Sequence, residues 1–221
     1  MSKPIHIILA APGKGVGKGG VARQMQYLFR EGHKHEEIKF HWLCTHSNNK
    51  LWPIYFIFTL LHFLWIVAFN NIDFIHLNIA SKGSFYRKWC LFRLARIVGV
   101  KHIAHLHGGG FKDFYEQGNA TRQSRIKSLF QTASIVLVLG KIWQEFAESI
   151  HVDSDNIKIL RNAVPTPTTV SKGGGETPHI IFVGHLLPRK GVGELIEALA
   201  VNLKVSCSDS LKLSKKPLAV L

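Results

Sequence analysis

The sequence predicts an α/β protein built on a doubly wound parallel sheet, followed by an incomplete second α/β domain. Short apolar runs alternate with segments of helical periodicity up to about residue 160, which is typical of parallel sheets covered by helices. A glycine-rich loop follows the first apolar run, and a linker rich in helix breakers precedes a further strand and helix. The length of 221 residues is enough for one or two domains.

The strands are predicted where short runs are rich in branched and aromatic residues. They are Ile5–Ala10, Phe40–Cys44, Phe74–Ile79, Lys101–Leu106, Ile135–Leu139 and Ile157–Leu160. Between these runs, apolar residues recur at helical spacing. The predicted helices are Val21–Arg30, Leu51–Phe69, Tyr86–Val98, Ala120–Gln131 and Lys141–Ile150. Together these elements make a predicted first domain over residues 1–165.

A linker rich in proline and glycine is predicted over residues 166–178, and a second αβ unit follows it over 179–221. Its strand is predicted at His179–Gly184 and its helix at Val192–Ala200. Residues 201–221 carry serines and lysines without a clear period. Because one strand and one helix cannot bury a core, we expect this second domain to be cut short.

The chain is strongly basic, with 28 Lys and Arg against 14 Asp and Glu and a formal charge of +14. Residues 1–101 hold 14 of the basic residues and 4 of the acidic ones, which is +10. The positive charge of residues 1–101 predicts an acidic partner, which would be a phosphate group or an anionic lipid. Nucleic acid ranks third, because no nucleic-acid-binding motif accompanies the charge. The three cysteines suit a reducing cytosol, and the N-terminus lacks the cleavage site of a signal peptide.

The segment Leu51–Phe69 has 19 residues without a formal charge, near the shortest helix that crosses a bilayer. Pro53 near its start, His62 in its middle and a strand four residues later all argue against a span. We therefore favour a helix packed in the protein or lying on a membrane surface, with a true span as the alternative.

The helix Tyr86–Val98 is predicted to have two faces. Its sheet-facing residues are predicted to be Cys90, Leu91, Leu94, Ile97 and Val98. Its outer face is predicted to hold Lys88, Trp89, Phe92, Arg93 and Arg96. Basic residues beside large aromatic ones are typical of a surface that meets a membrane.

The loop after the first strand has three interpretations. Gly15–Gly20 satisfies G-x-G-x-x-G, but no acidic residue ends the second strand to hold a ribose. A phosphate-binding P-loop would need a hydroxyl residue after Lys18, where Gly19 stands. We favour the third, a strand-to-helix loop whose backbone amides accept an anionic group at a helix N-terminus.

Three histidines lie on or next to the Lys101–Leu106 strand. Strand alternation places His105 and His107 on one face and points His102 away. A metal site is disfavoured because no cysteine or acidic residue lies nearby. His107 ends a parallel strand before three glycines, at the sheet edge that lines ligand crevices, and is therefore a candidate site residue.

The segment Ile180–Leu199 contains strand, G-H-L-L-P-R-K-G loop and helix, and resembles the start of the donor-binding domain in glycosyltransferase family 4. Gly19–Arg23, His105–Gly108 and Leu160–Val164 resemble other motifs of that family. The resemblance covers the chain to about residue 200. It implies a GT-B fold of two Rossmann-like domains, with 1–165 on the acceptor side, and a retaining transferase that needs no metal or other cofactor.

The resemblance also implies roles for residues. Gly19 and Gly20 would lie near the donor phosphates, and His107 near the donor sugar. Lys190 would neutralise the diphosphate leaving group, where charge builds as the glycosidic bond breaks, with Arg189 as an adjacent candidate. We therefore expect His107 and Lys190 to be the catalytic pair.

The chain departs from the family in three places. His185 stands where the family has an arginine, and Ala163 where it has a glycine. The E-x7-E segment that grips the nucleotide and sugar in this family is absent, so we expect a truncated and impaired enzyme.

The resemblance implies a nucleotide-sugar donor, a lipid-linked or polysaccharide acceptor, and a cytoplasmic location at an anionic inner membrane surface. Two alternatives stay open: an NAD(P)-dependent oxidoreductase that uses Gly15, Gly17 and Gly20, and a non-catalytic module that binds membrane surfaces.

Overall fold

The computed structural model describes residues 3–12, 20–46, 51–163, 166–170, 181–184, 186 and 190–202. The chain divides into two compact units, Met1–Thr166 and Pro167–Leu221. The division falls at the start of the proline- and glycine-rich stretch, where few contacts are expected to cross.

The first unit is a six-stranded, all-parallel sheet in the order β2-β1-β3-β4-β5-β6. The strands are β1 Ile5–Ala11, β2 Ile38–Cys44, β3 Phe74–Ile79, β4 Lys101–Leu106, β5 Ile135–Val138 and β6 Ile157–Ile159. The helices are α1 Gly20–Gly32, α2 Trp52–Phe69, α3 Gly83–Ile97, α4 Phe111–Glu116, α5 Ala120–Gln131 and α6 Lys141–Ser149. This confirms the predicted fold class, a doubly wound, Rossmann-like α/β domain.

The strand order reverses beside β1. The chain passes from β1 to β2 in one direction, and the remaining strands are added on the other side of β1. Because parallel crossovers are right-handed, α1 covers one face of the sheet and α2 to α6 cover the other. The main apolar cluster lies on this second face, and five phenylalanines in it are fully buried: Phe63, Phe85, Phe92, Phe111 and Phe130. Each contributes on the order of 2–3 kcal/mol through its burial.

Helix α2 has one buried and one exposed side. Phe63 and Ile66 are buried in the main cluster, at 0% and 3% exposure. Phe58 and Trp65 on the outer side are 61% and 58% exposed. Within the described residues, no helix combines the length and the apolarity that crossing a membrane requires.

The predicted orientation of α3 is wrong. Lys88 and Phe92, expected on the outer face, are 2% and 0% exposed, whereas Ile97, expected against the sheet, is 76% exposed. The buried side runs instead through Phe85, Lys88, Leu91, Phe92 and Ala95. The helix is therefore turned by about one residue step, roughly 100°, from the prediction. The rotation buries the rings of Phe85 and Phe92 completely, and this burial stabilises the observed orientation of α3.

Helix α4 was not predicted, because six residues are too few to show a helical period. It begins directly after three glycines, and Phe111, its first residue, is fully buried among the rings of Phe85, Phe130 and Phe146. One buried side chain thus holds the short helix against the core.

The second unit contains α7, Val192–Asn202, where the sequence predicts a helix. Of the predicted strand His179–Gly184, residues 181–184 are described, and they are not in a strand. The predicted role of this unit in donor binding remains an expectation.

Candidate functional site

The candidate site lies at the carboxyl ends of β1 to β4, where the strand order reverses. In open α/β sheets, ligands bind in the crevice at such a reversal. Side chains and backbone groups tie these strand ends together. Asn78 Nδ2 donates to the Ala10 carbonyl at 3.2 Å, and the Thr45 amide donates to the Ala11 carbonyl at 2.9 Å. The His107 amide donates to the Ile79 carbonyl at 2.7 Å, which extends the β3–β4 pairing to the site.

Lys88 reaches this edge from α3. Its side chain is 2% exposed, and its Nζ donates to Thr45 Oγ1 at 2.8 Å. Burial, reinforced by the charge of Arg87, lowers the pKa of Lys88 to about 7, while Cys44 acts in the opposite direction. A lysine with a pKa this close to neutrality is charged or neutral according to what binds beside it. An anion at the site would favour the charged form.

His107 is held in one tautomer by Asn78. Because Asn78 Nδ2 donates to the Ala10 carbonyl, its Oδ1 faces His107 and accepts from Nε2 at 3.0 Å. The Nδ1 atom of His107 is therefore a lone-pair acceptor, and it is buried with no hydrogen-bond partner among the described residues. Burial and the charge of Lys88 lower the pKa of His107 to about 4, so the ring is neutral at physiological pH. This arrangement suits a hydrogen bond from a substrate hydroxyl.

The chain turns sharply after His107. Gly108 has a φ of 120°, a conformation that side chains with a Cβ rarely adopt. The residue directly after His107 therefore has to be a glycine for the backbone to make this turn.

His107 continues into a stack of buried histidines. The His105 and His107 rings are 3.8 Å apart between centroids, and His76 Nε2 lies 3.1 Å from His105 Nδ1. His102 points to the other face, where its Nε2 donates to the Leu129 carbonyl at 2.8 Å, as strand alternation predicts. Burial lowers the pKa of His76 to about 3 and also lowers that of His105, so both rings are neutral. Across the described ranges, no cluster of three or more His, Cys, Asp or Glu is placed to hold a metal ion.

A cavity of about 250 Å³ opens next to Thr45, between the end of β2 and α2. Its lining combines polar groups with aromatic rings. The lining residues are Cys44, Thr45, His46, Tyr55, Phe56, Phe58, Thr59 and His62. Sites for small molecules commonly have this mixture of apolar walls and a few polar groups.

The described residues include only part of the predicted site. Gly20 begins α1 and is exposed, and a side chain at that position would meet no atom within 4 Å. Lys190 is exposed just before α7, in the second unit, whereas His107 belongs to the first. Gly19, His185 and Arg189 lie outside the described residues.

Sequence reasoning missed Lys88, Thr45 and Asn78. Thr45 directly follows β2, and Asn78 is the second-last residue of β3, so their positions at strand ends were a usable signal. Lys88 was predicted to lie on the outer face of its helix, because a lysine on an amphipathic helix is usually exposed to solvent.

No model of a known protein family matches the chain, and no curated protein matches it significantly. Among solved structures, one from Anabaena, Alr3699/HepE in complex with UDP and glucose, has a TM-score of 0.46 and 10% identity. It matches over 72% of this chain and 45% of the Anabaena chain. The co-structure of MnaA from S. aureus with UDP has a TM-score of 0.49 and 10% identity, over 71% of this chain and 43% of the other. The chain thus spans less than half of the length of each protein.

Proposed function

We propose that this chain is a glycosyltransferase that moves a sugar from a nucleotide-sugar to a lipid-linked or polysaccharide acceptor. One observation carries the proposal: a buried lysine, Lys88, and an acceptor histidine, His107, both lie near the reversal point of a Rossmann-like sheet, close enough for the charge of Lys88 to lower the pKa of His107. A cation and a hydroxyl-binding group together suit a substrate that has both phosphate and sugar. The motif resemblance to glycosyltransferase family 4 supports this assignment, including a retaining mechanism without metal.

The proposed donor side follows that resemblance. We propose that Gly19 and Gly20 approach the donor phosphates through their backbone amides, and that His107 binds a hydroxyl of the donor sugar. Lys190 would offset the charge that develops on the diphosphate, with Arg189 and His185 as neighbouring donor-binding groups. Residues 1–165 would then be the acceptor-side domain and 179–221 the beginning of the donor-binding domain.

Turnover by the chain is expected to be slow. The E-x7-E segment that grips nucleotide and sugar in the family is absent from the sequence. Holding reactants in geometry is worth about 7 kcal/mol or more in favourable cases, so missing donor contacts cost several decades in rate. We propose that the absence of these contacts impairs transfer by the chain as given.

We propose that the protein works in the cytoplasm, peripherally bound at an anionic inner membrane surface. The basic first half and the exposed aromatic residues of α2 support this location. An NAD(P)-dependent activity has less support, because neither Cys44 at the end of β2 nor the following Thr45 and His46 supplies a carboxylate to hold a ribose.

The experiment that tests the proposal is a tracer assay for sugar transfer. The purified chain is incubated with each of several radiolabelled nucleotide-sugars and with a membrane extract that supplies lipid-linked and polysaccharide acceptors. We expect slow transfer of label from one nucleotide-sugar, reduced further by Lys190→Ala. Transfer that never exceeds a heat-denatured control would contradict the proposal.

A further inference from the structure

Two nitrogen atoms on neighbouring buried rings lack hydrogen-bond partners at the candidate site. They are Nε2 of His105 and Nδ1 of His107, and neither has a partner among the described residues. The two histidines are 0% and 2% exposed, and their ring centroids are 3.8 Å apart. Buried polar atoms in native proteins are almost always hydrogen-bonded, so two adjacent exceptions indicate a group that both rings can bind.

The hydrogen bonds on the other sides of the two rings determine what each free nitrogen offers. Asn78 Oδ1 accepts from Nε2 of His107 at 3.0 Å, so Nδ1 of His107 is an acceptor. Nδ1 of His105 lies 3.1 Å from Nε2 of His76, and these two atoms share one proton. With this proton on His76, His105 carries its own proton on Nε2 and is a donor. This tautomer is favoured because it avoids placing two buried lone pairs on adjacent rings.

A donor and an acceptor on adjacent rings match the chemistry of a hydroxyl group. A hydroxyl has one proton to donate and lone pairs that accept. An anion would be repelled by the lone pair of His107, and a metal ion by the proton on Nε2 of His105. Burial lowers the pKa of both histidines, so neither ring carries a charge at physiological pH. The pair therefore favours a neutral ligand group.

The backbone beside the two rings is open. Residues 108–110, all glycines, directly follow His107 and are exposed. A side chain added at Gly109 or Gly110 would meet no atom within 4 Å. A ligand can therefore approach along this turn and place one hydroxyl group against the buried rings, away from bulk water.

We infer that His105 and His107 together bind one hydroxyl group of the donor sugar, which donates to Nδ1 of His107 and accepts from Nε2 of His105. The inference rests on the proposed function and adds His105 as a residue that determines specificity. A buried site with two hydrogen bonds for one hydroxyl should reject a sugar that lacks it, because both nitrogens then stay unpaired. A water molecule offers the same chemistry, and the tests distinguish it from the sugar.

The first test locates the ring protons in the unaltered full chain. Histidine labelled with nitrogen-15 gives separate NMR signals for the two ring nitrogens, and a protonated nitrogen differs clearly from a bare one. Loss of individual signals in His105→Phe and His107→Phe assigns them. We expect a proton on Nε2 in both rings. A bare Nε2 in His105 would overturn the inference, because the pair would then have no donor.

The same spectra follow ligand binding. The probes are UDP-glucose, UDP-N-acetylglucosamine and GDP-mannose, with UDP and GDP as sugar-free controls. We expect at least one nucleotide-sugar to shift the Nε2 signal of His105 and the Nδ1 signal of His107 together, whereas UDP and GDP leave both unchanged. His102, whose Nε2 donates to the Leu129 carbonyl on the other face, should not respond. If no nucleotide-sugar moves the His105 signal, the pair holds only water and the inference is wrong.

Variants of His105 test its role in transfer. His105→Phe keeps a ring of similar size without the donor, and His105→Gln restores an N–H group. With the nucleotide-sugar that the tracer assay identifies, His105→Phe should lower kcat/KM at least about tenfold and His105→Gln should lower it less. With the deoxy analogue that lacks the bound hydroxyl, His105→Phe should have almost no further effect. His102→Phe is the matched control and should change neither rate by more than about twofold.

An equal loss in His105→Phe for every deoxy analogue would show a purely structural role and contradict the inference. The outcomes are also separable from those of the proposed function. Joint shifts of both histidines without any sugar transfer would contradict the proposed function and leave the hydroxyl site standing. Transfer that depends on His107 but not on His105 would do the reverse.

Discussion

The Nζ atom of Lys88 lies 2.8 Å from Oγ1 of Thr45, and this hydrogen bond joins α3 to the end of β2 inside the protein. Thr45 Oγ1 in turn donates to the Ala11 carbonyl at 3.2 Å, so one chain of hydrogen bonds runs from the lysine to the strand ends. A lysine that is 2% exposed and bound to a hydroxyl costs desolvation energy whenever it is charged. Lys88 thus places a group that can become positively charged where the ligand crevice is expected, and its burial is expected to lower the free energy of unfolding.

The first prediction concerns that cost. An unfolded chain keeps Lys88 protonated up to its ordinary pKa of 10.5, whereas the folded chain releases the proton near pH 7. Between these values the unfolded state binds more protons, so the free energy of unfolding rises with pH by up to about 1.4 kcal/mol per unit. Below pH 7 both states are protonated and the penalty is fully present.

Lys88→Met should therefore be more stable than the unaltered protein near neutral pH, by on the order of 1–4 kcal/mol. The difference should shrink as pH rises toward 10. Urea unfolding at several pH values measures it. A constant difference across this range would show that Lys88 is not buried in the way described.

The second prediction concerns acid sensitivity. His76 and His107 have folded pKa values of about 3 and about 4, below their ordinary value of 6.5. As the pH falls below 6.5, these histidines become protonated in the unfolded state but stay neutral in the folded state. The free energy of unfolding therefore falls by about 1.4 kcal/mol per pH unit for each histidine. The loss should begin near pH 6.5 and continue to about pH 4.

The double variant His76→Leu with His105→Leu removes two of the buried rings together, so neither leaves the other unpartnered. It should flatten the fall of melting temperature between about pH 6.5 and pH 5. The exposed His35→Ala is the control and should keep the slope of the unaltered protein. An unchanged slope in the double variant would mean that the stacked histidines titrate normally.

The sequence predicted the six strands to within two residues at each end, because buried parallel strands are short apolar runs that stand out from their surroundings. It did not predict which side of α3 faces the sheet. The spacing of apolar residues predicts the buried side of a helix only if its polar residues face solvent. Lys88 is polar but buried at the candidate site, so the prediction for α3 failed.

Only those residues of the candidate site that follow from their position at the end of a single strand could be predicted from the sequence. His107 and the glycines after it follow from their position on a parallel strand. The hydrogen-bond partner of His107 could not be read from the sequence, because Asn78 lies 29 residues away and reaches His107 through strand pairing. The effect of Lys88 on the pKa of His107 likewise depends on how α3 is turned against the sheet.

The third prediction concerns the membrane. Phe58→Asn combined with Trp65→Ser removes two exposed aromatic residues of α2 and should lower co-sedimentation with anionic vesicles. Binding of the unaltered protein should be weaker to neutral vesicles, and should fall when salt is raised from about 0.05 to 0.5 M, because salt screens the basic half. Ile142→Asn is the matched control. Equal sedimentation with neutral and anionic vesicles would contradict the electrostatic part.

The fourth prediction concerns independent folding. Residues 1–166 contain the complete six-stranded sheet and its covering helices. Expressed alone, this segment should give one cooperative unfolding transition by circular dichroism. A non-cooperative melt would show that the first unit needs the rest of the chain.

The central claim, that the crevice at the sheet reversal serves sugar transfer, is tested most directly by comparing two buried histidines of β4 and its end. His107→Ala removes the acceptor atom in the crevice. His102→Ala removes a histidine of similar burial, 3% against 2% exposed, on the opposite face. In the radiolabelled transfer assay, with rates corrected for folded protein, we predict at least about a tenfold loss for His107→Ala, since a lost substrate hydrogen bond in a buried site costs 1–3 kcal/mol. The rate of His102→Ala should stay within about twofold of the unaltered chain. Equal rates for the two variants would contradict the claim.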